Sequence, residues 1–172
     1  ALTIRDPALL ERAHYLRDKG TNRQRFLSGL VDKYSWVDVG SSYVLSDLNA
    51  AYLLAQLEAQ ARITARRRAI FDAYQAALAA PVERAGGYLV GNQPRNAPNY
   101  HLFGIVFRKP EERAAFIAHM RAHGIVAPFH YVALHLSQMG QRHGAVRRPL
   151  PHTERLSACL VRLPMFFNMT DD

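Results

Sequence analysis

Tyr100-His101-Leu102-Phe103-Gly104-Ile105-Val106-Phe107 is the stretch that decides the fold class. Aromatic and β-branched side chains dominate it, and these fit a pleated, buried surface, so it reads as a strand. Pro110-Glu111-Glu112 follows and opens a helix, with a proline that needs no N–H partner and acids at the positive end of the dipole. Phe116, Ile117 and Met120 fall on one face of that helix, and Gly124 ends it. Ile125-Val126-Ala127 then reads as a second strand. The result is a β-α-β unit, and the chain is assigned to the α/β class. Beyond it we expect a loop over 138–151, a short helix near 153–159 and a last strand around 160–163.

Toward the N-terminus, residues 1–4 read as a short strand that ends at Arg5-Asp6-Pro7. Asp6 suits an N-cap and Pro7 the first helical position. Leu9, Leu10, Ala13 and Leu16 form one helical stripe, which stops at Gly20. Residues 21–42 are irregular and polar, and such a long loop is usually functional. Ser46-Asp47 can cap a further helix, whose spacing runs to about Ala80, with Pro81 after it. Its stripe is Leu48, Tyr52, Ala55, Ala59 and Ile63, continued by Ile70, Tyr74 and Leu78. A segment this long exceeds the common globular range, so a domain boundary is placed along it, giving 1–80 and 81–172. Gly86-Gly87, Gly91, Pro94 and Pro98 mark 81–98 as a turn-rich connection.

The 172 residues are 49% hydrophobic and 21% charged, enough for a core and unlike a disordered tail. No run is long and apolar enough for a membrane span, and no basic-then-apolar leader opens the chain. A single cysteine, Cys159, excludes an internal disulfide framework and suits a reducing cytoplasm. The net charge is +8 with a pI near 10.1, which raises the question of a polyanion partner. Arginine outnumbers lysine nineteen to three, a bias spread along the chain. Arg66-Arg67-Arg68, with Arg62 a turn earlier, point in different directions on a helix and accompany no nucleic-acid-binding signature. They read as a solvated helix face or a subunit contact, and neither a nucleic-acid nor a membrane partner is expected.

His119 and His123 have the i, i+4 spacing of a metal pair, but Met120 stands where a zinc protease needs its glutamate. They read as surface histidines at a helix C-terminus, and no metal is expected. Phe129-His130-Tyr131, beside Pro128, offers a polar rim on an aromatic wall, or else a packed loop. Tyr34 and Trp36 raise the same pair of readings. Backbone amides and hydroxyls at Ser41, Ser42 and Ser46 suit either a phosphate cradle or an ordinary N-cap. Cys159, set among Leu156 and Leu160, reads as buried and inert.

Several segments in order carry a resemblance. They are Ala1-Leu2-Thr3-Ile4-Arg5-Asp6-Pro7, Leu16-Arg17-Asp18-Lys19-Gly20-Thr21-Asn22-Arg23 and Val31-Asp32-Lys33-Tyr34-Ser35-Trp36. Gly40-Ser41-Ser42-Tyr43-Val44-Leu45-Ser46-Asp47-Leu48-Asn49-Ala50-Ala51-Tyr52 and Ala55-Gln56-Leu57-Glu58 come next. Phe129-His130-Tyr131-Val132-Ala133-Leu134-His135 and Arg162-Leu163-Pro164-Met165-Phe166-Phe167-Asn168 close the series. Together they resemble the DegT/DnrJ/EryC1/StrS sugar-nucleotide aminotransferases over nearly the whole chain.

The resemblance implies the C-terminal part of a pyridoxal-phosphate (PLP) enzyme of the aspartate-aminotransferase fold (fold type I). It would comprise the end of the large domain and a small α/β domain, cut before its last helix. It further implies a homodimer that aminates C4 of a dTDP-4-keto-6-deoxyhexose with glutamate, in the biosynthesis of cell-surface polysaccharides. The family's Schiff-base lysine stands in a Lys-x-x-x-Gly-Glu-Gly-Gly stretch that ends just before the position of Ala1. Lys19, Lys33 and Lys109 lack that context, so no catalytic residue is assigned here and the chain alone is expected to be inactive. Ser41 and Ser42 are implied to meet the partner subunit's PLP phosphate; many members carry asparagine at the position of Ser42. Arg23, Lys33, Tyr34, Trp36, His130 and Tyr131 are implied to bind substrate, with Arg23 and Lys33 toward the diphosphate. The alternative is an inactive dimerisation or binding subunit of the same fold.

Overall fold

The computed structural model describes residues 2–91 and 95–170. Ala1 of the expected first strand, Pro94 of the turn-rich connection and the closing Asp171-Asp172 lie outside the described residues. The chain divides into two compact units, Ala1–Glu58 and Ala59–Asp172. The division falls at Glu58, well before the expected 80, because the second helix of the long helical stretch packs on the sheet of the second unit.

In the second unit, β1 (Tyr88–Leu89), β2 (Phe103–Val106) and β3 (Leu160–Leu163) form an antiparallel sheet in that order. Phe103 pairs with Leu163, Gly104 with Arg162 and Ile105 with Val161. β2 is buried along its whole length, as its composition predicts. β3 alternates, with Val161 and Leu163 buried and Arg162 half-buried on the other face. Helix α4 (Gln60–Arg84) lays Phe71, Tyr74 and Leu78 on the Phe103–Ile105 face. Phe71 meets both Phe103 and Tyr100 edge to face, at 5.0 and 5.4 Å between ring centroids. Helix α5 (Pro110–Ala122) adds Phe116, Ile117 and Met120 to the same cluster. Glu112 accepts from the backbone N–H of Lys109 and from Arg108, which closes the N-terminus of α5. Those contacts, the Arg108 guanidinium above all, hold the Glu112 carboxyl below its usual range.

The expected β-α-β unit is not formed, and the sheet is antiparallel. Residues 125–127 make no strand. The N–H of Ile125 is spent on the carbonyl of Met120 in closing α5, and Val126 is exposed. Pairing comes only at Phe129, as a single antiparallel bridge to Val161. β1 lies within the stretch read as a connection, where two residues between glycines carry too short a pattern to see. Pro81 does not end α4 but sits in its last turn; the helix closes through the amides of Ala85, Gly86 and Gly87, with Gly86 at φ +75°.

In the first unit, Asp6 caps a 3-10 turn (Pro7–Leu9) by accepting from the Ala8 N–H at 2.9 Å. Helices α1 (Leu10–Arg17), α2 (Arg23–Leu27) and α3 (Asp47–Glu58) follow. Residues 2–4 form no strand, because no other segment pairs with them among the described residues. The long helical stretch is two helices that meet at Ala59. Two further elements fall in stretches read as loops. These are α2, and α6 (Gln138–His143), whose Ser137 cap accepts from the Gly140 N–H. Helix α7 (Pro151–Cys159) leads into β3 as expected. No helix of the described residues is long and apolar enough to cross a membrane.

Candidate functional site

The first unit gathers its candidate residues on one loop frame, built around residues 18–22. Lys19 and Gly20 both adopt left-handed backbone angles, φ 59° and 74°, which turn the chain out of α1. On one side Asp18 bridges to Ser42, and the Lys19 N–H donates to the Ser41 carbonyl at 3.1 Å. On the other side Thr21 bridges to Trp36, and the amides of Val37 and Asp38 donate to the Gly20 carbonyl. The backbones approach so closely that a Cβ on Gly40 would lie 2.0 Å from the Gly20 nitrogen.

Asn22 is buried and ties down the 33–35 turn. Its Oδ1 accepts from the Ser35 N–H at 2.8 Å, and its Nδ2 donates to the Lys33 carbonyl at 3.0 Å. Arg23, Lys33, Tyr34, Trp36, Ser41 and Ser42 therefore share this frame. Trp36 is 78% exposed yet oriented, because its Nε1 donates to the Asp38 carbonyl at 2.6 Å. Tyr34 leans on Phe26, with ring centroids 6.3 Å apart. Arg23 lies 3.6 Å from Asp18, and Lys33 is exposed.

The run of free amides that a phosphate cradle needs is not left open at 41–43. The Ser41 and Tyr43 N–H groups donate to the carbonyls of Leu16 and Arg17 at the end of α1. What this segment offers an anion is the exposed hydroxyls of Ser41 and Ser42. Ser46 serves as the N-cap of α3, accepting weakly from the Asn49 N–H at 3.4 Å. Beside the frame, Tyr15 and Arg25 both donate to Glu11 and hold its carboxyl below the usual range. Sequence reasoning did not single out this trio.

The second unit presents His130 and Tyr131 on a strap, residues 128–133. The strap is held from three elements. From β3, the Arg162 N–H donates to the Pro128 carbonyl at 2.9 Å, its guanidinium donates to the Phe129 carbonyl at 3.3 Å, and the guanidinium carbon lies 5.8 Å from the Tyr131 ring centroid. From α7, the Ser157 hydroxyl donates to the Tyr131 carbonyl at 2.9 Å and accepts from the Ala133 N–H at 3.0 Å. From α5, Arg113 lies over Phe129 and donates to the Ser157 carbonyl. Tyr131 is 71% exposed, with the His130 ring 4.9 Å away.

Other candidates resolve into structure. The rings of His119 and His123 are 4.3 Å apart, but no group of three metal-ligating side chains exists among the described residues. The arginine cluster is not simply a solvated face. Arg66 donates to the Met169 carbonyl and Arg62 lies over Phe167, which fastens the C-terminal segment to α4; Arg68 pairs with Asp72. Cys159 is buried and free, as expected. A groove of about 460 Å³ between α4 and α5, lined by Leu78, Val82, Phe107, Phe116 and Met120 among others, is almost wholly apolar and brings no reactive group together.

Sequence reasoning missed the roles of Asn22, Ser157 and Arg162. Asn22 and Arg162 stood inside quoted segments, but only tertiary contacts reveal what they hold.

The family described as the DegT/DnrJ/EryC1/StrS aminotransferases matches residues 1–172. Among solved structures, the aminotransferase TlmJ of Streptoalloteichus hindustanus is 23% identical with a TM-score of 0.79, over 98% of this chain and 42% of its own. DesV of S. venezuelae, solved with a ketimine intermediate, is 28% identical with a TM-score of 0.79, over 96% and 41%. Spr1654 of Streptococcus pneumoniae, solved in a PLP form, is 20% identical with a TM-score of 0.80, over 98% and 41%. The chain thus spans about two-fifths of the length of these solved chains.

Proposed function

The chain belongs to the DegT/DnrJ/EryC1/StrS aminotransferase family, and from that premise we propose that it is the C-terminal part of an enzyme that aminates C4 of a dTDP-4-keto-6-deoxyhexose. Glutamate is the amino donor. The sugar carbonyl becomes an amine as glutamate becomes 2-oxoglutarate, so atoms and electrons balance without a further oxidant. The reading places the enzyme in the cytoplasm as a homodimer, supplying amino sugars for cell-surface polysaccharide. The observation that carries it is the family match along all 172 residues.

The described residues fit one edge of a PLP site and not the whole of it. The Ser41 and Ser42 hydroxyls stand exposed and are suited to a phosphate. No lysine is placed to do chemistry. Lys19 sits in a left-handed turn, Lys33 is exposed, and Lys109 caps α5. PLP, when bound, supplies the electron sink for moving an amino group; no step is assigned to this chain's lysines, and the chain alone is inactive. Arg23 and Lys33 are assigned to the diphosphate. Trp36 and Tyr34 offer faces to the base, and His130 and Tyr131 offer polar groups to the sugar.

The residue series upstream of Ala1 in the intact gene product tests this. A Lys-x-x-x-Gly-Glu-Gly-Gly stretch is expected, and its absence would leave the inactive-subunit reading. That second reading has its own support in α3, whose Leu48 and Tyr52 are 84% and 71% exposed, as suits a surface that another chain covers.

A further inference from the structure

We propose that Arg162 is a positioning residue, which sets His130 and Tyr131 for substrate by clamping the 128–133 strap. The inference rests on the nucleotide-sugar reading above and names a residue which that reading does not use.

The strap has little of its own to hold it. Its sheet pairing is one bridge, Phe129 to Val161, and Tyr131 and Val132 are largely exposed. A loop with so few apolar contacts sits at the low-stability end of a fold unless polar groups restrain it. Arg162 supplies that restraint at three successive-to-alternate points: a backbone bond to Pro128, a guanidinium bond to Phe129 and a ring contact with Tyr131. Its reach depends on the register. Arg162 lies opposite Gly104, which puts no side chain of its own against it; Val90 and Leu160 fill the space that a Cβ there would take.

Burial supplies a second line of support. Among the described residues, four buried side-chain polar atoms lack a hydrogen-bond partner: Nε of Arg67, Arg113 and Arg162, and Nδ1 of His130. Three of the four belong to the strap or its clamps. Each such orphan costs stability, and their concentration at one segment marks a place kept for something other than stability. A guanidinium suits the role, since its rigid fork and flat face restrain a carbonyl and a ring together, whereas an ammonium has neither. Arg162 touches no substrate in this account; it acts through His130 and Tyr131.

The test uses the complete, cofactor-loaded enzyme and the KM for the dTDP-4-keto-6-deoxyhexose, measured beside the rate of the glutamate half-reaction. Arg162→Met is expected to raise that KM about tenfold, the loss of one guanidinium bond and one cation–π contact, with the glutamate half-reaction unchanged. Arg162→Lys is expected not to restore it. Ser157→Ala, which loosens the same strap from α7, should raise KM in the same direction and keeps the test decisive if the arginine variants fold poorly. An unchanged KM in Arg162→Met or Ser157→Ala, or equal losses in both half-reactions, overturns the positioning role. His130→Ala and Tyr131→Ala separate the two claims. If both leave KM unchanged, the nucleotide-sugar reading itself fails; if they raise it and the clamp variants do not, only this inference fails.

Discussion

Asn22 and Ser35 hold each other by three hydrogen bonds. The Asn22 N–H donates to the Ser35 carbonyl at 3.1 Å, the Ser35 N–H donates to Asn22 Oδ1 at 2.8 Å, and Asn22 Nδ2 reaches Ser35 Oγ at 3.3 Å. This lock stands between Arg23 and the Lys33-Tyr34 turn, so it sets the spacing of residues proposed for the diphosphate and base. Asn22→Ala leaves the Ser35 amide and the Lys33 carbonyl without partners and is expected to destabilise the first unit by about 1–3 kcal/mol. Asn22→Asp keeps the acceptor and loses the donor, so it should cost less. Hydrogen exchange at the Ser35 amide reads this directly; protection unchanged in Asn22→Ala would remove the lock.

The Gly20–Gly40 approach is tighter still. A methyl on Gly40 collides with the Gly20 backbone, and one on Gly20 would meet the Asp38 carbonyl at 1.7 Å in a residue already at positive φ. Gly40→Ala is therefore expected to break the Asp18–Ser42 and Thr21–Trp36 bridges together, opening 33–42 to proteolysis while the sheet of the second unit persists. Gly29→Ala is the control: it meets nothing within 4 Å and carries only the strain of its φ of +69°. Equal proteolysis of Gly40→Ala and the parent chain would contradict the close approach.

Tyr74 makes the second unit sensitive to alkali. Its hydroxyl donates to the Pro164 carbonyl at 3.1 Å, and burial raises its pKa above the ordinary 10.0. A raised folded-state value means that the unfolded chain loses its proton first. The contribution is intact below about pH 10 and falls away as pH rises through the folded value. Tyr74→Phe should lose the Pro164 bond at neutral pH but show a flatter decline in melting temperature above pH 10. Parallel alkaline declines in the two proteins would contradict this.

How much of this was legible in the sequence follows from the range of the forces involved. Local signals held: the Asp6 cap with Pro7, the opening of α5 at Pro110, the buried run at Phe103–Val106, and β3. The strand expected at 125–127 failed because β-propensity reports a fit to a sheet, and no strand was there to pair with it. α4 runs past the expected end near Ala80 and takes in Pro81, since one missing N–H near a helix end costs little when the following amides still close the turn. Of the site, the loop segments were visible as motifs. The frame that orders them was not, because Asn22 with Lys33 and Arg162 with Phe129 are separated by 11 and 33 residues and no local pattern records such pairs.

The proposed reaction is amino transfer to a nucleotide-linked keto sugar by the enzyme to which this chain contributes. The most direct measurement incubates the complete, cofactor-loaded protein with glutamate and a dTDP-4-keto-6-deoxyhexose and quantifies both products. A 4-amino sugar nucleotide and 2-oxoglutarate are expected in equal amounts, with neither formed by residues 1–172 alone. Verified cofactor loading with no 2-oxoglutarate and no amino sugar, or full turnover by residues 1–172 alone, would contradict it.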